Sequence, residues 1–460
     1  MIKHHAPTQE RIAIQKASLS IFGSTPRLTI FSIGCPLAAF LIPLKLSLAY
    51  IILVPLIIIW LVSAFVNPHT LKLTPDERRI LVPLGLFFLT ITSSSILGVS
   101  LIDSLPSLIS LVFFACTIMI FLQNAPLLQT SAAMIAGQSL AALHSFFEAT
   151  FPDTLPRLFL GKVTESGQLA LTIPLATGLL WYFVSIGATR RFSAQRAIIG
   201  AFLTILFTAI GFRNEAGFTP AITCSLGIAT FLLAALSVRT SLIARGTAQR
   251  IALLSALQIP LLVCALLVNL KRGPWLGVLS GVVLFFAWYA RRALAVLIAT
   301  TIVIVAIIAP IRDRLAASYE HFTISGGRST IWRIAADLVA EYPMGIGYHN
   351  SGIIRALAPE IPQELKHFHN NLLNIVAETG WIGVGLFIWF IYGLLRTCFT
   401  DRRQILFVAT GCAIISWQVA GLVEYNVGDS EILILVWMLL GSLLYSRRRS
   451  ALQPAPTPTT

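Results

Sequence analysis

Apolar residues recur along this chain in long runs separated by short polar breaks, many reaching the ~17 to 25 residues that cross ~30 Å of hydrocarbon as helix. Runs over about residues 28–44, 47–66, 80–101, 105–123, 128–148, 168–188, 197–212 and 217–237 predict eight spans. Six more follow at 251–270, 273–290, 293–310, 371–395, 404–423 and 431–446. The expectation is an all-α, polytopic integral membrane protein of about 12 to 14 transmembrane helices, with Pro55, Pro260 and Pro310 kinking or ending helices.

Composition agrees with that pattern. Of 460 residues 56% are hydrophobic and only 11% charged, against roughly 25% charged in soluble domains, and the mean hydropathy is +0.83. The net charge of +14 would suit nucleic acid only if a polar domain carried a basic face, and none is present. It reports topology instead. With a cytoplasmic N-terminus, 21 basic residues fall on the inner side and 12 on the outer, while 15 of the 19 acids fall on or near the outer side. Both termini are therefore expected in the cytoplasm.

The resulting division is a cytoplasmic tail over 1–27, a transmembrane region with short loops over 28–310, a periplasmic loop over 311–369, a second transmembrane region over 370–446, and a disordered cytoplasmic tail over 447–460. The 1–27 tail leads into an apolar run without a small-residue cleavage signature, so it reads as uncleaved. The six cysteines, Cys35, Cys116, Cys224, Cys264, Cys398 and Cys412, show no CxxC or Cys/His spacing and read as small packing residues.

Chemistry belongs in the outer segments 149–167 and 311–369, the second holding six basic and six acidic residues in a charge-poor chain. Within it, Ser329 or Thr330 can cap a helix to about Glu341, whose stripe of Ile331, Trp332, Ala335, Leu338 and Val339 could lie on the membrane surface. Pro343 and the Gly345/Gly347 pair end it. No HExxH occurs and no aspartate lies inside an expected span, so zinc-dependent and aspartyl intramembrane proteolysis lack their residues. Asp429 and Glu431 read as helix-start partners rather than metal ligands, and no metal is expected.

What remains is cationic and imidazole chemistry. Arg272 stands in Lys271-Arg-Gly-Pro-Trp-Leu276, Arg328 in Ser325-Gly-Gly-Arg-Ser329, and His369 in His367-Phe-His-Asn-Asn371. Guanidinium groups grip phosphate oxygens through paired hydrogen bonds, and an imidazole can take a hydroxyl proton near neutral pH. Each residue alone has a plain reading: arginines at span ends snorkel or pair with acids, and a loop histidine is most often a hydrogen-bonded one. Lys271, Asn370, Gln168 and Arg213 are secondary candidates, with His349, Lys366 and His367 of lower rank.

Together these segments resemble the O-antigen ligase and polymerase family of bacterial envelope polysaccharide enzymes. The matching pieces are Arg272-Gly-Pro-Trp-Leu276, Arg328-Ser-Thr-Ile-Trp332 followed by Pro343-Met-Gly-Ile-Gly347, and His369-Asn-Asn-Leu-Leu373 with Glu378, Gly380 and Gly383, over roughly residues 160–395. Gln168, in Gly167-Gln-Leu-Ala170, matches the polar residue often found where an outer loop re-enters the membrane. The resemblance implies a GT-C-like glycosyltransferase of the bacterial inner membrane, active on the periplasmic face and using no cofactor. For a ligase it implies lipopolysaccharide biosynthesis, with undecaprenyl diphosphate-linked glycan as donor and lipid A-core as acceptor. Arg272 and Arg328 would hold the diphosphate and His369 the acceptor hydroxyl. Rival expectations are a polymerase of the same family, a ligase acting on protein, and a multi-span transporter; the scarcity of charge inside the spans argues against the last.

Overall fold

The structure, a computed structural model, describes residues 29–66, 72–151, 158–186, 247–323, 327–357, 366–401 and 403–452. The expected spans 197–212 and 217–237, Arg213, Cys224 and the 1–27 tail lie outside the described residues.

Each of the other twelve apolar runs coincides with a helix. In chain order these are α1 (Thr29–Leu41), α2 (Leu46–Val66), α3 (Pro75–Leu97), α4 (Leu101–Asn124), α5 (Leu127–Thr150), α6 (Lys162–Ile186), α7 (Thr247–Val268), α8 (Arg272–Tyr289) and α9 (Arg291–Ile307). The loop segment adds α10 (Ala309–Ala316), α11 (Ser318–Thr323), α12 (Arg328–Glu341) and α13 (Ile354–Leu357) before α14 (Asn371–Phe399), α15 (Ile405–Ala420) and α16 (Ser430–Leu452). No strand occurs among the described residues. The chain is an all-α, polytopic membrane protein. By length and composition α2, α3, α4, α14 and α16 are each able to cross a membrane, and α9 with its continuation, bent by 89°, makes a sixth if taken as one span. At 16 residues, α15 is too short to cross ~30 Å alone, as are the 13 described residues of α1.

Burial sorts these helices into centre and perimeter. From Ile432 to Leu444 every residue of α16 is buried, so this helix is the axis of the bundle. On α2, by contrast, Ile51, Ile58, Val62 and Phe65 face outward, Phe65 at 90% exposure. Such an apolar perimeter suits hydrocarbon, where exposed leucine and phenylalanine carry no hydration cost.

Three boundaries differ from the sequence expectation. Helix α3 begins a turn before residue 80 because Thr74 and Glu77 form a reciprocal capping box that makes the polar segment helical. Helix α16 continues through Arg447 to Leu452, into the segment expected to be a disordered tail, because Arg447 pairs with Asp76 at 3.1 Å and Arg448 with the buried Glu77 at 3.0 Å. Helix α12 starts at Arg328 with Gly327 as its cap rather than Ser329 or Thr330. Its stripe of Ile331, Ala335, Leu338 and Val339 does not lie on the membrane surface. It is buried against Phe368, Val376 and Ala377, since α14 offers apolar surface that holds the helix inside the protein.

Candidate active site

The ends of α8, α12 and α14 meet the loop between α15 and α16. Helix α8 packs on α15 through Gly273, Gly277 and Gly281, four residues apart and so on one face. A Cβ at Gly277 would strike the Ser416 carbonyl, and one at Gly281 would lie 2.7 Å from that of Cys412. At Gly273 a Cβ would come within 2.8 Å of Cγ of Glu424. The absence of side chains here therefore seats the first turn of α8, with Arg272, directly against Glu424. Arg272 feels the fields of Arg314, Arg328 and Glu424, and Arg314 is tied to the same corner by donating to the Leu270 carbonyl at 3.2 Å.

Arg328 reaches the same carboxylate from α12, its Nη2 lying 3.6 Å from Oε1 of Glu424. Trp332, one turn along, donates from Nε1 to the Phe368 carbonyl at 3.0 Å, coupling this helix to the residue before His369. His369 itself has a left-handed backbone, φ +50°, which non-glycine residues adopt rarely and chiefly where the surroundings impose it. The imposition comes from three asparagines. Asn374 accepts from the Phe368 amide at 3.2 Å, and Asn370 caps α14 by accepting from the Leu373 amide while donating to the Leu422 carbonyl at 2.9 Å. Asn371 accepts from the amides of Asn426 and Val427. They stitch the histidine loop to residues 421–427, and they bring Nδ1 of His369 to 3.8 Å from Oε2 of Glu424.

The three residues picked from the sequence, Arg272, Arg328 and His369, are thus gathered around one acid that the sequence reading passed over. Its signal was visible: an isolated glutamate just beyond an outer span end. The Glu424 side chain is 15% exposed. Burial alone would raise its carboxyl, but His369, Arg328 and Lys271 outweigh burial and hold it below the ordinary carboxylate range. It is an anion facing three cationic side chains, Lys271, Arg272 and Arg328, so the site retains a surplus of positive charge suited to a polyanionic ligand.

The secondary candidates divide. Lys271 is the N-cap residue of α8 and acts on Glu424 electrostatically. Asn370 spends its amide on capping α14 and on the Leu422 carbonyl. Gln168 is fully buried on α6, and neither amide atom has a hydrogen-bond partner among the described residues. His367 stacks edge-on to His369 with ring centres 4.2 Å apart; burial, with His369 beside it, pushes its imidazole down to about 4, so it is neutral at physiological pH.

The remaining motif residues form the frame. Helix α14 is broken at Gly380, φ +71°, and Pro343–Gly347 fills the break. The Ile346 and Gly347 amides donate to the carbonyls of Ala377 and Glu378 at 2.8 and 3.0 Å, and Trp381 donates to Pro343 at 3.3 Å. A Cβ at Gly380 would lie 2.5 Å from the Pro343 carbonyl oxygen. The spacing of Pro343, Gly345, Gly347, Glu378 and Gly380 therefore encodes one backbone junction. Residues 257–388 match the family model of O-antigen ligase. Arg272, Arg328 and His369 all lie within the O-antigen ligase match, and Glu424 lies beyond it.

Among curated proteins, the chain is similar to one of Rickettsia bellii named "Putative polysaccharide ligase", 26% identical over 125 residues, covering 25% of this chain and 29% of that protein. A like-named protein of Rickettsia conorii is 30% identical over 128 residues, covering 25% and 31%. These matches span less than a third of the relatives' length. The O-antigen ligase match and these similarities support a ligase-family role for a multi-pass membrane protein.

Proposed function

We propose that the protein is an O-antigen ligase that transfers a polysaccharide from undecaprenyl diphosphate to a sugar hydroxyl of lipid A-core on the periplasmic face of the inner membrane. The observation that carries this reading is the convergence of Arg328 and His369 on the two oxygens of Glu424, with Arg272 on the adjoining helix turn.

In this mechanism Arg272 and Arg328 bind the donor diphosphate and stabilise the charge that gathers on its bridging oxygen as the bond to the anomeric carbon breaks. His369 takes the proton from the acceptor hydroxyl while that oxygen forms the new bond to the anomeric carbon. Attack from the face opposite the leaving group inverts the centre. Undecaprenyl diphosphate departs as an anion, so the step needs no general acid. Glu424, next to Nδ1, favours the imidazole tautomer that leaves Nε2 as base, and stabilises the imidazolium as it forms. At 3.8 Å the pair is longer than a hydrogen bond, and substrate binding is the event that tightens it.

The test is reconstitution of the purified full chain in proteoliposomes with lipid-linked glycan and lipid A-core, with and without chelator, following the products by gel. Joined glycan and core in both conditions is the expected result. Longer lipid-linked glycan with no core product would make the protein a polymerase. Label on protein would make it a protein-glycan ligase, and no transfer at all would overturn the reading.

A further inference from the structure

At the far end of the same helices α3, α14 and α16 enclose a second, separate site. It is a pocket of about 240 Å³ whose walls include Asp76, Arg79, Trp389, Tyr392, Arg396 and Arg447. Helix α14 is broken at Gly380, and the continuous stretch beyond the break, from Trp381 to Phe399, is itself ~28 Å long. His369 precedes the first turn of α14 and the pocket occupies its last turns, so the two sites lie at opposite ends of this helix.

The charges in the pocket are unbalanced. Arg447 is fixed, its Nε 3.1 Å from Oδ2 of Asp76 and its Nη1 donating to the Thr397 carbonyl at 3.3 Å. Arg79 meets the same carboxylate only at 3.5 Å, with its side chain 72% exposed. Arg396 is exposed and has no ion pair among the described residues. Three guanidinium groups thus line a pocket that holds one carboxylate; Arg396 is uncommitted and Arg79 is only loosely held, so both can turn toward an anion. Beside them Trp389 and Tyr392 stand 52% and 62% exposed, next to Ile388. Exposed tryptophan and tyrosine at the end of a span mark the level where headgroups meet acyl chains.

We infer that this pocket binds the phosphate headgroup of an anionic glycerophospholipid, whose acyl chains run along the exposed face of α14. A soluble phosphate ester would gain little from an exposed aromatic rim of the kind that sits where headgroups meet acyl chains. The volume is below the ~300 Å³ where pockets for whole small molecules begin, yet it is enough for a headgroup whose tails remain outside. Basic pockets between helices at a membrane surface are a recurrent form of lipid recognition. The bound phosphate would join α3 and α14 through Arg79 and Arg396, as Asp76 already joins α3 to α16 through Arg447.

The full chain, purified in neutral detergent, tests this by native mass spectrometry and thermal melting during titration with phosphatidylglycerol, phosphatidylcholine or inorganic phosphate. Phosphatidylglycerol is expected to bind at least tenfold more tightly than phosphatidylcholine and to raise the melting temperature. The double variant Arg79→Gln/Arg396→Gln should weaken it by about 25-fold, or about fivefold for each arginine, and Trp389→Ala should weaken it further. Arg396→Gln alone, at an exposed and unpaired position, provides the same reading if the double variant folds poorly, with Arg396→Lys retaining affinity. Equal binding of the two lipids, unchanged affinity in the arginine variants, or reproduction of the melting shift by inorganic phosphate would each overturn the assignment.

Discussion

Nδ1 of His369 stands 3.8 Å from one oxygen of Glu424, whose other oxygen is 3.6 Å from the Arg328 guanidinium. One carboxylate therefore addresses both the group proposed to take a proton and a group proposed to hold the diphosphate. Glu424→Gln keeps the volume and removes the charge. It is expected to lower turnover by about 10², toward the ~10² to 10⁴ that loss of the base itself costs in His369→Ala. Steady-state kinetics on reconstituted protein separates this from a binding defect: turnover should fall while the donor KM changes little.

Arg272 and Arg328 approach the site from different helices. Each alanine substitution should lower kcat/KM for the lipid-linked donor by ~10² to 10³, as for other donors aimed at developing negative charge. The double substitution should fall short of the product of the two, because both act on one diphosphate. Lysine should restore more at Arg272 than at Arg328, where α12 and Glu424 constrain the guanidinium. Equal rescue at both positions would argue against that difference.

Stability should depend on pH through His367. An unfolded histidine takes up its proton near ~6.5, whereas burial beside His369 delays uptake in the folded protein to about 4. Between those values the unfolded chain binds more protons, so the folded state loses stability as pH falls through the interval, by at most about 3 kcal/mol. Melting of the detergent-solubilised protein from pH 7 to pH 4 should show this fall, and His367→Gln should flatten it.

Gly380 is the residue on which the α14 junction turns. Gly380→Ala forces a side chain into φ +71° and within 2.5 Å of the Pro343 carbonyl oxygen, at a cost of ~2 kcal/mol or more. The measurement is the melting temperature, expected to drop by several degrees, with transfer activity falling in parallel. Gly385→Ala, on the same helix with open space around it, should leave both unchanged.

Orientation is tested by labelling. With Cys224 replaced by serine, and the other five native cysteines buried and so inert to impermeant thiol reagents, Ser329→Cys beside Arg328 should be modified in cells whose outer membrane alone is permeable. Ser450→Cys at the end of α16, also exposed, should be modified only after the inner membrane is opened. Protection of Ser329→Cys until the inner membrane is opened would remove the periplasmic assignment.

The helices were legible because membrane spans announce themselves through uninterrupted apolar runs, and the arginine and histidine candidates because charge is scarce in such a chain. Glu424 was not, since its importance arises from Gly273 and the asparagines that fold two distant loops onto it. The stripe of α12 was read correctly as apolar but assigned to the membrane surface. Periodicity tells which face of a helix is greasy, not whether lipid or Phe368 will cover it. Helix boundaries at Thr74 and beyond Arg447 were missed for a related reason, because capping and ion pairs extend helices through polar sequence that hydropathy ends.

The interruption of α14 also sets how the loop can evolve. At the break in this membrane helix the carbonyls of Ala377 and Glu378 accept from the amides of Ile346 and Gly347, and orphaned polar groups at that depth are heavily disfavoured. The stretch from Pro343 to Gly347 is thus a structural rivet of the bundle, although it sits in a connecting segment. Chimeras that exchange acceptor-facing regions between relatives should keep this pentapeptide and the matching turn of α14 from the same parent.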